Sequence, residues 1–408
     1  MGERWVRVIA DDLTGACDVG AALLPYPMPV IVETLERMGQ PASTAGAALV
    51  VRNTQSRTLT PLEAADRVRR ALGDVPPGQA GVLLKKIDTA LRGALGAEIE
   101  AAMDAVGADV TLVLAAIPEV GRTTVDGRQL IDGVPVDQTA FARDPQNPIR
   151  DPRIANVIAE TTRQPVACVR VTEMRRAGAR HVLATRRASG TRIVVGDAES
   201  DADLDGWITG ITMGPRSIVL AGSTGLAKAW RRAGGAAPAA SWVSPRTTNP
   251  GRGVLVVAGS AHPNTRGQLR HVAASGLLAV IEASSADPVG TAATVAGLLA
   301  SGTNVGLVAP AREVSGASAG ILETLATTAL AVLERTRPAA LLLIGGETAF
   351  HVLARIGHPR LVVEGEPAPL SVRATLADGM LVGMPIVTKG GSSGPPDRLR
   401  VLMEGVTA

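Results

Sequence analysis

Short apolar runs that alternate with helical segments are the feature that most limits how this chain can fold. In the N-terminal half, five runs are almost continuous in Val, Leu and Ile, at 6–10, 81–88, 109–116, 192–198 and 216–223. Such runs are typical of parallel strands that are covered on both faces. Helical patterns that end at glycine lie between them, as at 61–73 and 96–107. The alternation predicts an α/β fold with mainly parallel sheets.

The same alternation resumes in the C-terminal half after a break. The break, at 231–253, is rich in Gly, Ala, Pro, Ser and Thr and has neither a helical nor a strand period, as is typical of a linker. Since 408 residues are too many for one ordinary core, we expect two α/β domains, 1–230 and 254–408. The apolar runs of the second domain are 253–260, 277–283, 304–310, 339–348 and 384–391.

Composition argues against several classes of function. Aromatic residues make up only 2% of the chain, which disfavours stacking platforms for single-stranded nucleic acid. The net charge is +3, but the arginines are interleaved with acids and form no basic stripe. We therefore expect no nucleic-acid partner and a modest attraction for small anionic substrates.

The few cysteines and histidines indicate neither a disulfide framework nor a zinc or histidine metal site. Cys17 and Cys168 are far apart in sequence, and the five histidines show no metal-ligand spacing. The N-terminus lacks the layout of a signal peptide, and no apolar run reaches the length of a membrane span, about 18 residues. We therefore expect a cytoplasmic protein without a membrane partner.

Two adjacent acids, Asp11 and Asp12, end the first apolar run in "RVIADDLTGA". Like charges at this spacing repel, and no basic residue adjoins them in the sequence. Asp12 or Thr14 could cap the helix that starts near Gly15. Because one cap needs only one such side chain, the pair is a candidate site of chemistry.

A second polar cluster, "KIDTALRG", places Asp88 at the end of a strand and Arg92 near the start of a helix. An arginine in this position can hold a carboxylate in a bidentate fork. The alternative is a structural bridge from Arg92 to Asp88 or to the Asp11–Asp12 pair, because a buried arginine needs an acid. Residues 119–153 are polar and turn-rich, and we interpret them as a long loop that contacts a ligand.

Three glycine turns follow strand runs in the second half. They contain Gly259 with Ser260, then Gly345, Gly346, Glu347 and Thr348, and finally Lys389, Gly390 and Gly391. Ligands of open parallel sheets bind beyond the carboxyl ends of the strands, where helix amides attract phosphate. For one turn alone, a plain helix cap by Glu347 or Thr348 is an equal alternative. Convergence of several turns favours a nucleotide, although no Walker or dinucleotide motif is present.

Together these segments resemble the four-carbon acid sugar kinase family (DUF1537), whose members phosphorylate threonate, erythronate or 3-oxo-tetronate. The resemblance is carried in order, over nearly the whole chain, by "ADDLTGA" (10–16), "KIDTALRG" (86–93), 118–127, 144–148, "GS" (259–260), "GGET" (345–348) and "KGGSSG" (389–394).

This resemblance implies an acid-sugar-binding domain, an ATP-binding domain and an active site in the cleft between them. The implied ATP-binding residues are Ser260, Gly345, Gly346, Glu347, Thr348, Gly390 and Gly391. Those implied for the substrate are Asp11, Asp12, Asp88, Arg92, Gly121 and Arg122.

Among these, Asp11, Asp12 and Arg92 would be catalytic, in an ATP-dependent kinase that acts on the terminal hydroxyl of a four-carbon sugar acid. Arg92 would pair with the substrate carboxylate. One of the two aspartates would accept or orient the hydroxyl proton, and the other would hold substrate hydroxyls or Mg²⁺. A homodimer is a candidate assembly.

Three departures from the family pattern leave two alternatives open. Ala90 and Ala94 stand where the family usually has threonine and asparagine, and "SSG" replaces the phenylalanine-containing end of the last glycine motif. The alternatives are a non-catalytic relative that binds sugar acid or nucleotide, and a kinase that acts on another short hydroxy acid.

Overall fold

The computed structural model describes residues 5–26, 28–40, 48–76, 79, 81–144, 146–211, 217–235, 251–260, 262–310 and 319–407. Its elements along the chain are β1 (Trp5–Ala10), α1 (Leu13–Ala22), β2 (Val30–Thr34), β3 (Leu49–Asn53), α2 (Pro61–Ala71), β4 (Gly81–Lys86), α3 (Leu95–Val106), β5 (Thr111–Leu114), β6 (Arg122–Val125), β7 (Arg128–Ile131), β8 (Val134–Pro135), α4 (Ile154–Ala159), β9 (Val166–Val169), α5 (Val171–Ala177), α6 (Ala179–Ala188), β10 (Ile193–Gly196), α7 (Asp201–Thr209), β11 (Ile218–Gly222), α8 (Thr224–Trp230), β12 (Val254–Ala258), α9 (Pro263–Ala274), β13 (Ala279–Glu282), α10 (Pro288–Ala300), β14 (Val305–Val308), α11 (Ala319–Arg335), β15 (Ala340–Ile344), α12 (Gly346–Arg355), β16 (Leu361–Ala368), β17 (Ser371–Leu376), β18 (Pro385–Lys389) and α13 (Arg398–Thr407).

The chain forms two compact units. The first unit is Met1–Pro27 with Leu49–Ala240, and the second is Met28–Ala48 with Ser241–Ala408. Most of the expected linker at 231–253 lies outside the described residues, which omit 236–250. The sequence-based division at this linker does not anticipate that Met28–Ala48 groups with the second unit.

The sheet of the first unit is parallel throughout, in the order β3-β1-β4-β11-β5-β10-β9. Ala10 at the end of β1 lies opposite Asn53 of β3 and Lys86 of β4. The turns that follow these three strands therefore leave the sheet at one edge. The five strand runs of the N-terminal half and both helical patterns are confirmed; Gly107, at the end of α3, has the left-handed φ of 64° that favours glycine.

The sheet of the second unit has the order β13-β14-β12-β15-β18-β17-β16-β2. The strands β13, β14, β12, β15 and β18 are parallel, as the apolar runs predict. The strands β17, β16 and β2 add an antiparallel part that was not predicted. Arg360 explains why the segment around β2 belongs here. Its buried guanidinium contacts Glu33 at 3.1 Å and Asp378 at 3.2 Å. The prediction of an α/β fold with mainly parallel sheets is confirmed.

The expectation of one long loop at 119–153 is wrong for its first part, because residues 122–135 form a small sheet. β6, β7 and β8 pair as antiparallel strands. Asp126 and Gly127 have φ of 49° and 71°, and Asp132 and Gly133 have 51° and 78°. Two residues with positive φ make the turns that join β-hairpins tightly, and Asp-Gly is a preferred sequence for them. Residues 119–153 contain this Asp-Gly signal twice.

Candidate functional site

Asp11 and Asp12 are buried at the carboxyl end of β1, and both contact Arg57. Arg57 Nε donates to Asp11 Oδ2 at 2.7 Å, and Arg57 Nη2 donates to Asp12 Oδ1 at 2.8 Å. The turn after β3 brings Arg57 there, because the Ser56 amide donates to the Asp11 carbonyl at 2.9 Å. Arg57 therefore supplies the positive charge that the sequence around the two acids lacks.

Arg57 was not predicted as a site residue, because it is separated from Asp11 by 46 positions. The signal that could have found it is the apolar run 49–51, whose carboxyl end lies beside that of β1 once both are recognised as parallel strands. Arg57 follows that end by a short turn. If β3 had been predicted as a parallel strand, Arg57 would have been placed at the same edge of the sheet as Asp11.

Asp12 is the N-cap of α1, so the capping interpretation is confirmed for this residue. Its Oδ1 accepts from the Gly15 amide at 2.8 Å, and its Oδ2 accepts from the Thr14 hydroxyl at 2.6 Å. A Cβ at position 15 would lie 2.6 Å from Asp12 Oδ1, which explains the glycine. Both carboxylate oxygens of Asp12 are thus engaged by the protein.

Asp11 differs from Asp12 in having one unsatisfied oxygen. Within the described part of the chain, its buried Oδ1 has no hydrogen-bond partner. Burial raises the pKa of Asp11, but Arg57, Lys85 and Lys86 outweigh it and hold this pKa below its ordinary value. Asp11 is therefore ionised near neutral pH and has one oxygen available as a hydrogen-bond acceptor.

A second buried ion pair interacts electrostatically with Asp11. Lys85 Nζ on β4 contacts Glu98 Oε2 on α3 at 2.5 Å, and the side chains are 0% and 3% exposed. Burial raises the pKa of Glu98; Lys85 opposes this effect, while Asp11 adds to it. Neither residue was predicted as part of the site, since a lysine inside an apolar strand carries no distinctive local pattern.

Arg92 forms the structural bridge that the sequence left as an alternative. Its Nε donates to Asp88 Oδ2 at 2.7 Å, and its Nη1 donates to Asp144 Oδ2 at 3.1 Å. The guanidinium carbon also lies 5.1 Å from the ring centroid of Phe141. Burial raises the pKa of Asp88, yet Arg92 and Arg57 lower it well below its ordinary value. Both Arg92 and Asp88 are already neutralised within the protein.

Arg122, the first residue of β6, has no such carboxylate. Its Nη1 donates to the Thr89 hydroxyl, and no other described side chain forms an ion pair with it. Burial lowers the pKa of Arg122; the carboxylate of Asp88 opposes this, and the nearby Arg92 adds to it. The preceding Gly121 has φ of 70°, a conformation that favours glycine. Arg122 is therefore a desolvated cation whose charged form is favoured by Asp88, Asp18 and Asp132, but which forms no salt bridge with a described residue.

In the second unit, the three glycine turns meet. The Gly259 amide donates to the Thr348 hydroxyl at 3.1 Å, and the Gly345 amide donates to the Lys389 carbonyl at 2.8 Å. A side chain at Gly391 would collide with Ser260. The structure thus brings together the residues that sequence analysis proposed for ATP, namely Ser260, Gly345, Gly346, Glu347, Thr348, Gly390 and Gly391.

The start of α12 lies at this meeting point. Its N-cap, Gly345, has φ of 99° and provides no side chain to cap the helix. The Thr348 hydroxyl is engaged with Gly259 instead of capping α12. Uncapped amides at a helix N-terminus attract phosphate oxygens, so this edge of the second sheet is suited to an anion.

The described residues show neither a metal-ligand cluster nor a membrane-spanning helix. They contain no cluster of three or more His, Cys, Asp or Glu side chains that could hold a metal ion. Within the same ranges, no helix has both the length and the apolar character needed to cross a bilayer.

Two family models match successive parts of the chain. Residues 6–230 match the family model "Sugar-binding N-terminal domain", and residues 255–399 match "Nucleotide-binding C-terminal domain". A D-threonate kinase of Salmonella typhimurium is 31% identical over 96% of each chain. A D-erythronate kinase of Heliobacterium modesticaldum is 33% identical over 65% of this chain and 60% of its own. A 3-oxo-tetronate kinase of Burkholderia multivorans is 31% identical over 64% and 62%.

Two solved structures share the fold. One, from Salmonella typhimurium LT2, has a TM-score of 0.78 at 19% identity and covers 100% of both chains. The other, a DUF1537 protein of Haemophilus influenzae, has a TM-score of 0.70 at 19% identity and covers 99% of this chain and 100% of its own. At these identities the likeness bears on fold alone, and it supports two α/β domains.

Proposed function

Because this chain belongs to the four-carbon acid sugar kinase family, we propose that it phosphorylates the terminal hydroxyl of a four-carbon sugar acid with ATP. The acceptor would be of the threonate, erythronate or 3-oxo-tetronate type. The observation that carries the proposal is the arrangement around Arg57, in which two buried carboxylates share one guanidinium and one carboxylate oxygen remains available.

We assign the hydroxyl proton to Asp11. Its Oδ1 is the unsatisfied oxygen, and its lowered pKa keeps it ionised. In the transfer, the substrate hydroxyl oxygen would bond to the γ-phosphorus while the bond from that phosphorus to the β–γ bridging oxygen breaks and ADP leaves. The hydroxyl proton would pass to Asp11. Asp12 would hold Arg57 and the start of α1 in place, since both of its oxygens are engaged.

The substrate carboxylate is better matched to Arg122 than to Arg92. Arg92, our expectation from the sequence, already donates to Asp88 and Asp144. Arg122 donates only to the Thr89 hydroxyl among the described residues. A bound carboxylate would offset the desolvation of Arg122 and could be held in a bidentate fork. Arg92 and Asp88 would then be structural residues of the site and would not bind the substrate carboxylate.

The nucleotide phosphates would bind at the three glycine turns of the second unit. Support comes from the uncapped amides of α12 and from the close approach of Gly391 to Ser260. Phosphoryl transfer depends chiefly on positioning and on neutralisation of charge. The location of the active site in a cleft between domains rests on the family resemblance and stays a prediction.

Mg²⁺ is expected to accompany ATP, and the donor set fits an ion with few protein ligands. Among the described residues, no cluster of three acidic, histidine or cysteine side chains exists, so the substrate phosphates and water would supply most of its ligands. Mg²⁺ is commonly held by one or two carboxylates together with substrate phosphates and water. When bound, it would neutralise the β- and γ-phosphates. Cytoplasmic location and a homodimer stay predictions.

One assay series tests the proposal. ADP release would be followed with ATP and a panel of sugar acids. The panel would contain threonate, erythronate and the 3-oxo four-carbon acid, together with hydroxy acids of three and five carbons. We expect turnover with a four-carbon acid and a large loss of kcat in Asp11→Asn, but not in Asp66→Asn, an exposed carboxylate paired with Arg69. Turnover only with another chain length would favour the second alternative. Binding without turnover on the whole panel would favour the non-catalytic one.

A further inference from the structure

Lys389 is a buried lysine at the point where the three glycine turns of the second unit meet. It is the last residue of β18 and is 1% exposed. Its carbonyl accepts from the Gly345 amide at 2.8 Å. The next two residues form the Gly390–Gly391 turn that approaches Ser260. The lysine therefore belongs to the proposed nucleotide site by position, although the residues predicted to bind ATP included Gly390 and Gly391 of this turn and not Lys389.

The ammonium group of Lys389 is only partly satisfied. Its Nζ donates to the Gly390 carbonyl at 2.7 Å, and no described carboxylate forms an ion pair with it. An ammonium has three donors, and buried charges are normally paired. The hydroxyl of Ser371, opposite Lys389 on β17, has no hydrogen-bond partner among the described residues either.

The charged groups on the neighbouring elements do not supply the missing counter-charge. Arg398 on α13 is a cation and acts on Lys389 unfavourably. Arg373 on β17 is a second cation, and its partner is Glu364 of β16. The carboxylates of Asp397 and Glu366 act on Arg398. The surroundings of Lys389 are therefore positive, and an anion is the group that would balance them.

We propose that Lys389 is a phosphate ligand of the nucleotide site and supplies the cation that neutralises the bound nucleotide. This inference rests on the proposed function, since it takes the three glycine turns to be the nucleotide site. The carbonyl that Nζ contacts belongs to Gly390, inside the turn proposed to bind phosphate. A phosphate there would meet both backbone amides and an ammonium group, as phosphate sites in other folds do.

The proposal has a consequence that a merely structural lysine would not have. Burial, with a contribution from Arg398, lowers the pKa of Lys389 to about 7. A bound phosphate favours the charged form and would raise this pKa again. Above about pH 7, nucleotide binding should therefore take up a proton at Lys389, and affinity should fall as the pH rises.

Calorimetry of ADP binding to the whole protein tests this in two buffers that differ in ionisation enthalpy. At about pH 8.5 the ADP phosphates are fully ionised, because the last phosphate pKa is about 6. We expect the wild type to take up nearly one proton at that pH and fewer at about pH 6.5. Lys389→Met should show no uptake and about tenfold weaker binding near neutral pH, where a charged hydrogen bond is worth about 1.4 kcal/mol or more.

Two further variants complete the experiment. Lys389→Arg should keep most of the affinity but show no uptake, since arginine stays protonated. Arg400→Met removes an exposed cation of the same unit, on α13, and should behave as the wild type. If Lys389→Met does not fold, the wild-type uptake and the arginine variant still decide the question.

The outcomes separate the inference from the function on which it rests. ADP binding to the wild type without proton uptake, or equal affinity in Lys389→Met, would overturn the role of Lys389 even if sugar-acid kinase activity is present. Failure of the wild type to bind ADP or ATP at any pH would overturn the nucleotide site itself and the inference with it.

Discussion

The guanidinium of Arg57 lies 2.7 Å from Asp11 and 2.8 Å from Asp12, so one cation holds two carboxylates that are adjacent in the chain. Burial alone would lower the pKa of Arg57, but Asp11, Asp12 and Asp88 raise it well above its ordinary value. Arg57 therefore stays charged and offsets the repulsion between the two acids. Removal of this cation would leave buried negative charge uncompensated.

Arg57→Ala should lower the free energy of unfolding by about 3 kcal/mol or more, because breaking a buried ion pair leaves its partners unpaired. Urea unfolding of the wild type and the variant measures this difference. Arg69→Ala, which removes an exposed ion pair with Asp66, should cost less than about 1 kcal/mol. Equal losses in both variants would contradict a structural role for Arg57.

Asp11→Asn and Asp12→Asn should differ in their kinetics. Asp11→Asn removes the carboxylate with the available oxygen and should lower kcat by about 10²-fold or more, as loss of a general base does. Asp12→Asn retains a residue that is favoured at a helix N-cap and should lower kcat less. Steady-state kinetics with a four-carbon acid provide the comparison. A larger loss of kcat in Asp12→Asn would reverse the assignment.

Arg122→Ala should raise the KM for the sugar acid by about tenfold or more, since a charge-assisted hydrogen bond is worth about 1.5–3 kcal/mol. The KM for ATP should not change. Arg153→Ala, in which the side chain is 56% exposed and paired with Asp151, is the matched control. An unchanged KM for the sugar acid in Arg122→Ala would point back to Arg92 as the carboxylate ligand.

Lys85→Met should destabilise the protein more than the double variant Lys85→Met with Glu98→Leu. The single change leaves Glu98 buried without its cation, which typically costs about 3–5 kcal/mol, whereas replacing both partners by apolar residues is often close to neutral. Thermal unfolding of the two variants tests this. If the double variant is the less stable one, the pair contributes more than mutual neutralisation.

The stability of the unliganded protein should rise with pH through Lys389. Its pKa of about 7 lies below that of an unfolded lysine, so the unfolded state binds more protons between these two pH values. The stabilisation should therefore grow from about pH 7 towards about pH 10, near the ordinary lysine pKa. The difference in unfolding free energy between the wild type and Lys389→Met, plotted against pH, isolates this effect. A flat difference would contradict the lowered pKa.

Local patterns predicted a large part of this fold. The run at 6–10 became β1 (Trp5–Ala10), and the run at 339–348 contains β15 (Ala340–Ile344). These predictions succeed because a strand buried on both faces must be apolar along its length. The antiparallel β17 was missed, since its alternation of apolar and polar residues is weak in "SVRATL".

The sequence by itself determined the two α/β domains, the family and the turns at the strand ends, because burial and turn geometry impose local patterns on the chain. Only the tertiary structure decided the charge partners. It joined Arg57 to Asp11 across 46 positions, paired Arg92 with Asp88, and left Arg122 and Lys389 without a salt bridge among the described residues. Such partners depend on which strands lie side by side and in which register, and that is set by packing over long sequence separations.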